Sequence, residues 1–506
     1  MAKIKSRFVR NDISRIFVNT NPNEEYEYHN CMRIEGLSKT FADIETVYCP
    51  HPTIAKAFIE AAEIETGGDS RWSTSLIGRM PLYDKSVLYD LAVNKKSFDL
   101  QVHFGECYDV SDFNSFDMAI ILENARINSY DTDPLGALQS DEVAMVNETV
   151  ALTASAVHYV YTPILSSVGE EVTATGGIVD LISSTNSFCR GNETEILFGL
   201  KLPSNGVGND IYIVYSEDNG VSWQEVLLDC TATLSTSPLN SYNISSDGIN
   251  LYITLNQAAG NGHLYVVKID SVLNGATGIP LVSTLDNVNA IYASKSFGKV
   301  LVTVGQSGIV NLVNTSSLVY YEIPNSGGSN LYAIDGLSIH NFVVAGDNGL
   351  LMVYSSGSGF RTIPVVINGN AIDDIITTLV VNGDTWIIGT DTGRVITTVN
   401  AGKTWLLREV FAGCITDIKF FSSIIGFALL KTGEIYRTLD GGVTWVLVED
   451  TLNQVPLNVE AFGLVVQDVN TFYTYGRIPI EVIANPCDPL NPFEVGDTGW
   501  VIKGGT

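Results

Sequence analysis

Two aspartates in this 506-residue chain sit in the same short pattern. Ser216, Asp218, Gly220, Ser222 and Trp223 follow the order S/T-x-D-x-G-x-T/S-W, and Thr438, Asp440, Gly442, Thr444 and Trp445 repeat it. Thr398, Asn400, Gly402, Thr404 and Trp405 form a third copy with asparagine in the aspartate's place. A carboxylate at a hairpin tip can exchange protons with a substrate, or it can accept hydrogen bonds from turn amides and hold the turn. The spacing favours bracing. Glycine supplies the positive φ of a tight hairpin, and the tryptophan opens the next strand as a wedge between strands.

Other chemistry-bearing residues are scattered. His51 and His103 have no carboxylate or cysteine partner nearby in sequence, and His263 and His340 accompany no serine on a glycine elbow. The seven cysteines, Cys31, Cys49, Cys107, Cys189, Cys230, Cys414 and Cys487, show no CxxC spacing and are odd in number, which excludes a zinc motif and a disulfide framework. Asp131, Asp133, Asp141 and Glu142 cluster without the glycine-centred oxygen spacing of a calcium loop. There is no phosphate loop. The sequence therefore predicts no catalytic group, cofactor or metal.

The hairpins belong to a repeat. Second glycines of a G-x-x-G anchor fall at Gly308, Gly349, Gly393 and Gly433, spaced 41, 44 and 40, with Gly262 placed in the same role 46 residues before Gly308. Units start near 178, 239, 288, 331, 373, 414 and 458, and the last is the weakest. A period of this length with four short strands per unit predicts a β-propeller of seven blades, with six the alternative, over residues 166–485. A weak terminal unit is what ring closure by shared strands would produce. Pro486, Pro489 and Pro492 make 486–506 an extended tail, in which Val501 and Ile502 could supply a last strand.

Composition excludes several classes. Net charge is −28, with 28 basic and 56 acidic residues, so nothing resembles a phosphate-gripping patch. An acidic surface suits solubility, or a wall past which a polyanion slides. Lys3, Lys5, Arg7, Arg10 and Arg15 make a locally basic N-terminus without a signal-peptide run. The longest apolar stretch, Phe420 to Leu430, is about half a membrane span, so no membrane insertion is expected.

Residues 1–165 lack the repeat and hold 14 of the 28 basic residues within their first 150. Strand-like runs are Arg15–Val18, Glu45–Cys49, Phe58–Ile64, Phe98–Phe104, Ala119–Leu122 and Ala125–Ser129. Ser86 to Lys96 reads as one helix, with Ser86 as cap, Leu88, Leu91 and Ala92 as its apolar face, and Lys95 and Lys96 against the C-terminal dipole. The prediction is an antiparallel β domain with one packed helix.

Several blocks of this region resemble tail tube proteins of long-tailed bacteriophages: YCPHP (48–52), GGDSRWSTSLIGRM (67–80), SFDLQVHFGEC (97–107), DVSDF (109–113) and ENARINSYDTDPLGALQSDEVAMVNETV (123–150). Order and spacing match, and the series carries the resemblance, over about residues 15–165. It implies a β-sandwich or barrel with one helix, assembled as stacked hexameric rings around a passage for DNA. The hairpins in turn resemble the Asp-box, or BNR, repeat, and GDNG and TLDGGVTW are similar to propellers of the photosystem II assembly factor type.

Asp-boxes also occur in sialidases, whose site needs an arginine triad, a Tyr/Glu nucleophile pair and an acid aspartate. Residues 170–485 hold six arginines, Arg190, Arg361, Arg394, Arg408, Arg437 and Arg477, and the YGRIPI echo of the sialidase motif follows the last Asp-box instead of preceding the first. The expectation is a non-enzymatic virion protein, made in the host cytoplasm. Its partners would be itself in the tail tube, other tail proteins, DNA in transit without specific binding, and surface glycans on an outward propeller. A propeller glycoside hydrolase or an assembly-factor propeller is the alternative.

Overall fold

A computed structural model describes residues 15–21, 27–28, 33–41, 72–81, 87–104, 116–132, 145–168, 178–185, 195–201, 211–229, 242–256, 261–274, 279–280, 283–317, 319–324, 328–451, 453–456, 459–478, 482–483, 493–494 and 498–505. The chain forms two compact units, Met1–Thr162 with Thr506, and Pro163–Gly505.

In the first unit the strands are β1 (Arg15–Asn19), β2 (Glu27–Tyr28), β3 (Arg33–Phe41), β4 (Trp72–Pro81), β5 (Phe98–Phe104), β6 (Met118–Thr132), β7 (Met145–Ala154) and β8 (Ala156–Tyr161). They join in the order β2-β1-β5-β6-β7-β4-β3, and β8 pairs β6. β6 replaces the two expected runs Ala119–Leu122 and Ala125–Ser129. Its first half pairs β5 and β8, its second half pairs β7, and it bends between them at Asn124, whose φ is +49°. The Asp99 carboxylate accepts the Asn124 N–H at 2.8 Å, and burial raises its pKa. The described residues hydrogen-bond as one eight-strand sheet that bends along β6, and one core draws on both of its parts.

The helix runs Val87–Asn94 and ends at Lys95, which takes a left-handed φ of +50°. Leu88 and Leu91 enter a core with Ile16, Val18, Leu100, Ile120, Leu122 and Leu152. Each buried aliphatic side chain of this kind stabilises by about 1.5–3 kcal/mol. β3, β4, β7 and β8 were not among the expected strands, while Glu45–Cys49, Phe58–Ile64 and the Ser86 cap lie outside the described residues.

The second unit contains, among its described residues, seven sheets of four or five strands. Their first strands begin at Ile178, Tyr242, Ile291, Leu331, Ile376, Ile415 and Glu460, against expected unit starts near 178, 239, 288, 331, 373, 414 and 458. Each first strand lies against the first strand of the next sheet, and that of the seventh lies against that of the first. This ring of sheets is a β-propeller.

The apolar cores sit between sheets. Ile387 and Val395 of the fifth meet Ile415 and Ile418 of the sixth. Phe427 and Leu429 of the sixth meet Ala461 and Phe472 of the seventh, with the two phenyl rings 4.4 Å apart. Leu181 and Leu197 of the first meet Tyr473 and Tyr475 of the seventh.

The glycine anchors acquire a physical reason. Gln306 N and Asp347 N donate to Ala290 O and Asn330 O, just before the first strand of their own sheets, at 2.8 and 3.1 Å. A Cβ on the preceding Gly305 or Gly346 would lie 1.9 Å from those same oxygens. The second glycines Gly308, Gly349, Gly393 and Gly433 share a positive φ, of +77°, +65°, +85° and +90°, but Gly262 does not join them: it lies within the strand Asn261–Lys268, opposite Asn256 and Val288.

Within the expected tail, Val501 and Ile502 do supply a last strand. Thr498–Gly505 is the third strand of the seventh sheet, paired to Phe472–Ile478 on one side and to β9 (Ile164–Ser167) on the other. Alternation explains it, because Trp500 and Ile502 enter the core toward the sixth sheet while Val501 enters the core toward the first. β9 supplies the fourth strand, so the seventh sheet takes strands from both ends of the second unit.

Candidate functional site

The three hairpins join the third and fourth strands of the first, fifth and sixth sheets. In the first, the Ser216 hydroxyl donates to Asp218 Oδ1 at 2.8 Å while accepting the Gly220 N–H at 2.8 Å. Asp218 then takes the Ser222 N–H at 2.8 Å and the Ser222 hydroxyl at 2.6 Å.

The sixth-sheet turn repeats this arrangement. Thr438 Oγ1 donates to Asp440 at 2.8 Å and accepts Gly442 N at 2.9 Å, and the Thr444 N–H and hydroxyl reach Asp440 at 2.9 and 2.6 Å. Asn400 reproduces it in the fifth sheet, with Thr398 Oγ1 donating at 3.0 Å and Thr404 N at 2.9 Å. Its own amide donates to Thr404 Oγ1 at 2.7 Å.

Each turn places two successive residues at positive φ: Asn219 and Gly220, Ala401 and Gly402, Gly441 and Gly442. Trp223, Trp405 and Trp445 are buried, and their indole N–H groups donate to Gly220 O and Val168 O, to Pro364 O, and to Gly442 O respectively.

The same bonds act in different surroundings. Asp218 is exposed, and its hydrogen bonds to Ser222 lower its pKa to about 2. Asp440 is 4% exposed, and burial raises its pKa against the pull of the Thr444 bonds. Among the described residues, every polar partner of either carboxylate lies within its own turn. None of these hairpin residues lines the central cavity.

That cavity, about 1100 Å³, is lined by the first strands of the ring and includes Asp180, Lys295, Asp335, Asp417 and Lys419. The motif reading missed this set, because the residues come from separate repeats with no shared local pattern. Asp180 Oδ2 accepts Ile244 N of the second sheet at 2.7 Å, and Oδ1 accepts the Tyr475 hydroxyl of the seventh at 2.6 Å. Burial raises Asp180 to about 6 and Tyr475 well above its ordinary value.

Asp335 accepts Val381 N of the fifth sheet at 2.6 Å and pairs with Lys295 of the third. Asp417 accepts Leu464 N of the seventh at 3.0 Å and holds Lys419 at 3.2 Å, raising the pKa of that ammonium. Ile418 N donates to Thr378 Oγ1 at 3.2 Å, and Asn256 brackets Ile291 with two bonds of 2.8 and 2.9 Å. The inner wall is thus stapled at Asp180, Asp335 and Asp417, each accepting a donor from a neighbouring sheet, while Asp247 and Asp391, which also line the cavity, accept donors from their own sheets.

The arginines do not converge. Arg394 pairs with Asp374 at 3.2 Å, Arg477 with Glu460 at 2.8 Å, and Arg408 Nε donates to Thr397 Oγ1 at 2.9 Å. Burial lowers the pKa of Arg437 to about 10, Arg361 is exposed, and Arg190 lies outside the described residues. None lines the central cavity among the described residues. His103 is buried, bonded to Gln101 at 2.9 Å between the rings of Phe17 and Phe116. His51 lies outside the described residues, as do six of the seven cysteines. Among the described residues no group of three His, Cys, Asp or Glu side chains could hold a metal ion, and no helix is long and apolar enough to cross a membrane.

No protein-family model matches the chain, and no curated protein matches it. Among solved structures, YCF48 from Cyanidioschyzon merolae is similar at 12% identity and a TM-score of 0.44, over 68% of this chain and 99% of that one. A structure of YCF48 bound to D1 peptide matches at 11% and 0.44, over 68% and 97%. The computationally designed Ika8 protein matches at 14% and 0.39, over 64% and 96%. The propeller is read from the closed ring of sheets, and these distant likenesses add no functional argument.

Proposed function

We propose that this chain is a structural protein of a long-tailed phage virion. Its first unit builds the tail tube as stacked hexameric rings, and its second unit is a seven-bladed propeller carried as a decoration. One observation carries the tube reading. The described parts of the blocks that resemble tail tube proteins fall on β4, β5, β6 and β7, four neighbours in the order β5-β6-β7-β4. The resemblance therefore follows a contiguous part of one sheet instead of scattered loops. Among the described residues the nine-residue β3 has no partner on its outer side, and such an edge suits pairing with a neighbouring subunit. The charge of −28 suits a passage that DNA traverses without sticking.

The seven-blade reading rests on the order of contacts around the ring and on a last sheet completed from both ends of the unit. A hydrolase is not adopted, because Asp180, Asp335 and Asp417 are engaged as staples between sheets and the described arginines lie away from the cavity. In this reading the propeller contacts surface glycans weakly and gains avidity from copy number. Sedimentation of the purified chain tests the assembly. Masses at six-fold and higher multiples of the monomer are expected, and a monomer at every concentration contradicts the reading.

A further inference from the structure

We infer that residues 164–168 are a mechanical clasp, so that tension on the chain entering the propeller detaches the outermost strand of the seventh sheet before any other part of the ring yields. In the third to sixth sheets, the outermost strand follows the third strand through a short turn. β9 differs: its four residues pair Ile502, Lys503, Gly504 and Gly505, more than 330 positions away in sequence. The Val168 N–H adds a bond to Val501 O at 3.1 Å. Closure of the seventh sheet by β9 is therefore the least local pairing in the ring, and nothing covalent holds β9 beside its partner.

Three further attachments fix the clasp. Leu165 is 2% exposed and sits in the core with Phe472, Trp500 and Ile502. The Trp223 indole of the first-sheet hairpin donates to Val168 O at 3.0 Å. Gln454 Oε1, from the stretch between the sixth and seventh sheets, accepts the Ser167 N–H at 3.0 Å. Ile164 and Ser167 are exposed, so Leu165 is the clasp's one deeply buried side chain.

The clasp begins two positions after Thr162, where the first unit ends. Any pull transmitted along the chain from the first unit reaches β9 before the rest of the ring. Peeling it leaves the other three strands of the seventh sheet paired to one another, and leaves six sheets intact. This device is independent of the tail tube reading and would operate in any protein with this connectivity.

Single-molecule pulling on the full chain tests it, with handles on introduced residues at positions 161 and 357, both exposed. Force then enters through the clasp without crossing the first unit. The expected first event is a short reversible step of about 17 Å, from five residues at ~3.4 Å each. Leu165→Asp should abolish that step or lower its force severalfold. A first event in the wild-type chain that releases a whole sheet, on the order of 100 Å or more, would overturn the inference. So would a short step unchanged in force in Leu165→Asp. The wild-type trace decides the matter even if the variant folds poorly.

Discussion

The hairpins of the first and sixth sheets use the same residue types and the same bonds, yet Asp218 stands in solvent and Asp440 is buried. The pKa of one is held near 2 by its donors, and that of the other is raised by desolvation. The motif thus fixes a geometry, and the packing around it fixes what the geometry is worth. A proton-transfer group would need the opposite: a shared environment tuned to one task.

The largest expected effect separates the two turns directly. Asp440→Ala leaves buried donors from Thr438, Val443 and Thr444 without their acceptor, and should destabilise the second unit by about 3 kcal/mol. Asp218→Ala should cost about 1 kcal/mol, because water reaches the exposed turn. Urea unfolding of the second unit measures both, and equal losses would undo the contrast.

The next effect concerns the inner wall. The folded pKa of Asp180, about 6, lies above its unfolded value of 3.8. Its contribution is therefore fully present below the unfolded value and is lost as pH rises through about 6. Two pKa units correspond to about 3 kcal/mol. Asp218, shifted the other way, contributes above pH 4 and loses its contribution as pH falls toward 2. Between pH 4 and 6.5 the Asp180 trend should dominate the difference between wild type and Asp180→Asn. A wild-type-minus-variant stability that stays flat across that window would refute this assignment.

Smaller effects test the asparagine copy. Asn400→Asp should add about 1 kcal/mol at pH 7 through charge-assisted bonds to Thr398 and Thr404, and little at pH 3, as paired thermal melts would record. Ala401 carries a φ of +53°, where its counterpart in the sixth sheet is Gly441. Ala401→Gly should therefore stabilise by about 0.5 kcal/mol, the relieved strain exceeding the added unfolded-chain entropy.

The hairpins were legible because each is local: Thr438, Asp440, Gly442, Thr444 and Trp445 fall within eight residues and satisfy one another. The repeat was legible through glycines such as Gly349, whose φ of +65° few other residues accept. Other features were hidden by distance. No local pattern announces that Thr498–Gly505 will lie between Phe472–Ile478 and a strand at Ile164–Ser167. Asp180 looks like an ordinary strand residue until Ile244 and Tyr475 close on it from two other sheets. In the first unit, the ILENARI stretch reads as two strands and a turn. It is one bent strand because Asp99, 25 positions earlier, caps the Asn124 amide.

On the proposed tail tube reading the protein's work is assembly, and the assembled particle should be visible. Negative-stain electron microscopy of the purified full chain tests this most directly. Stacked rings or tubes with peripheral knobs, one knob per subunit, are the expected result. A field of uniform single particles, without rings at any protein concentration, would contradict it.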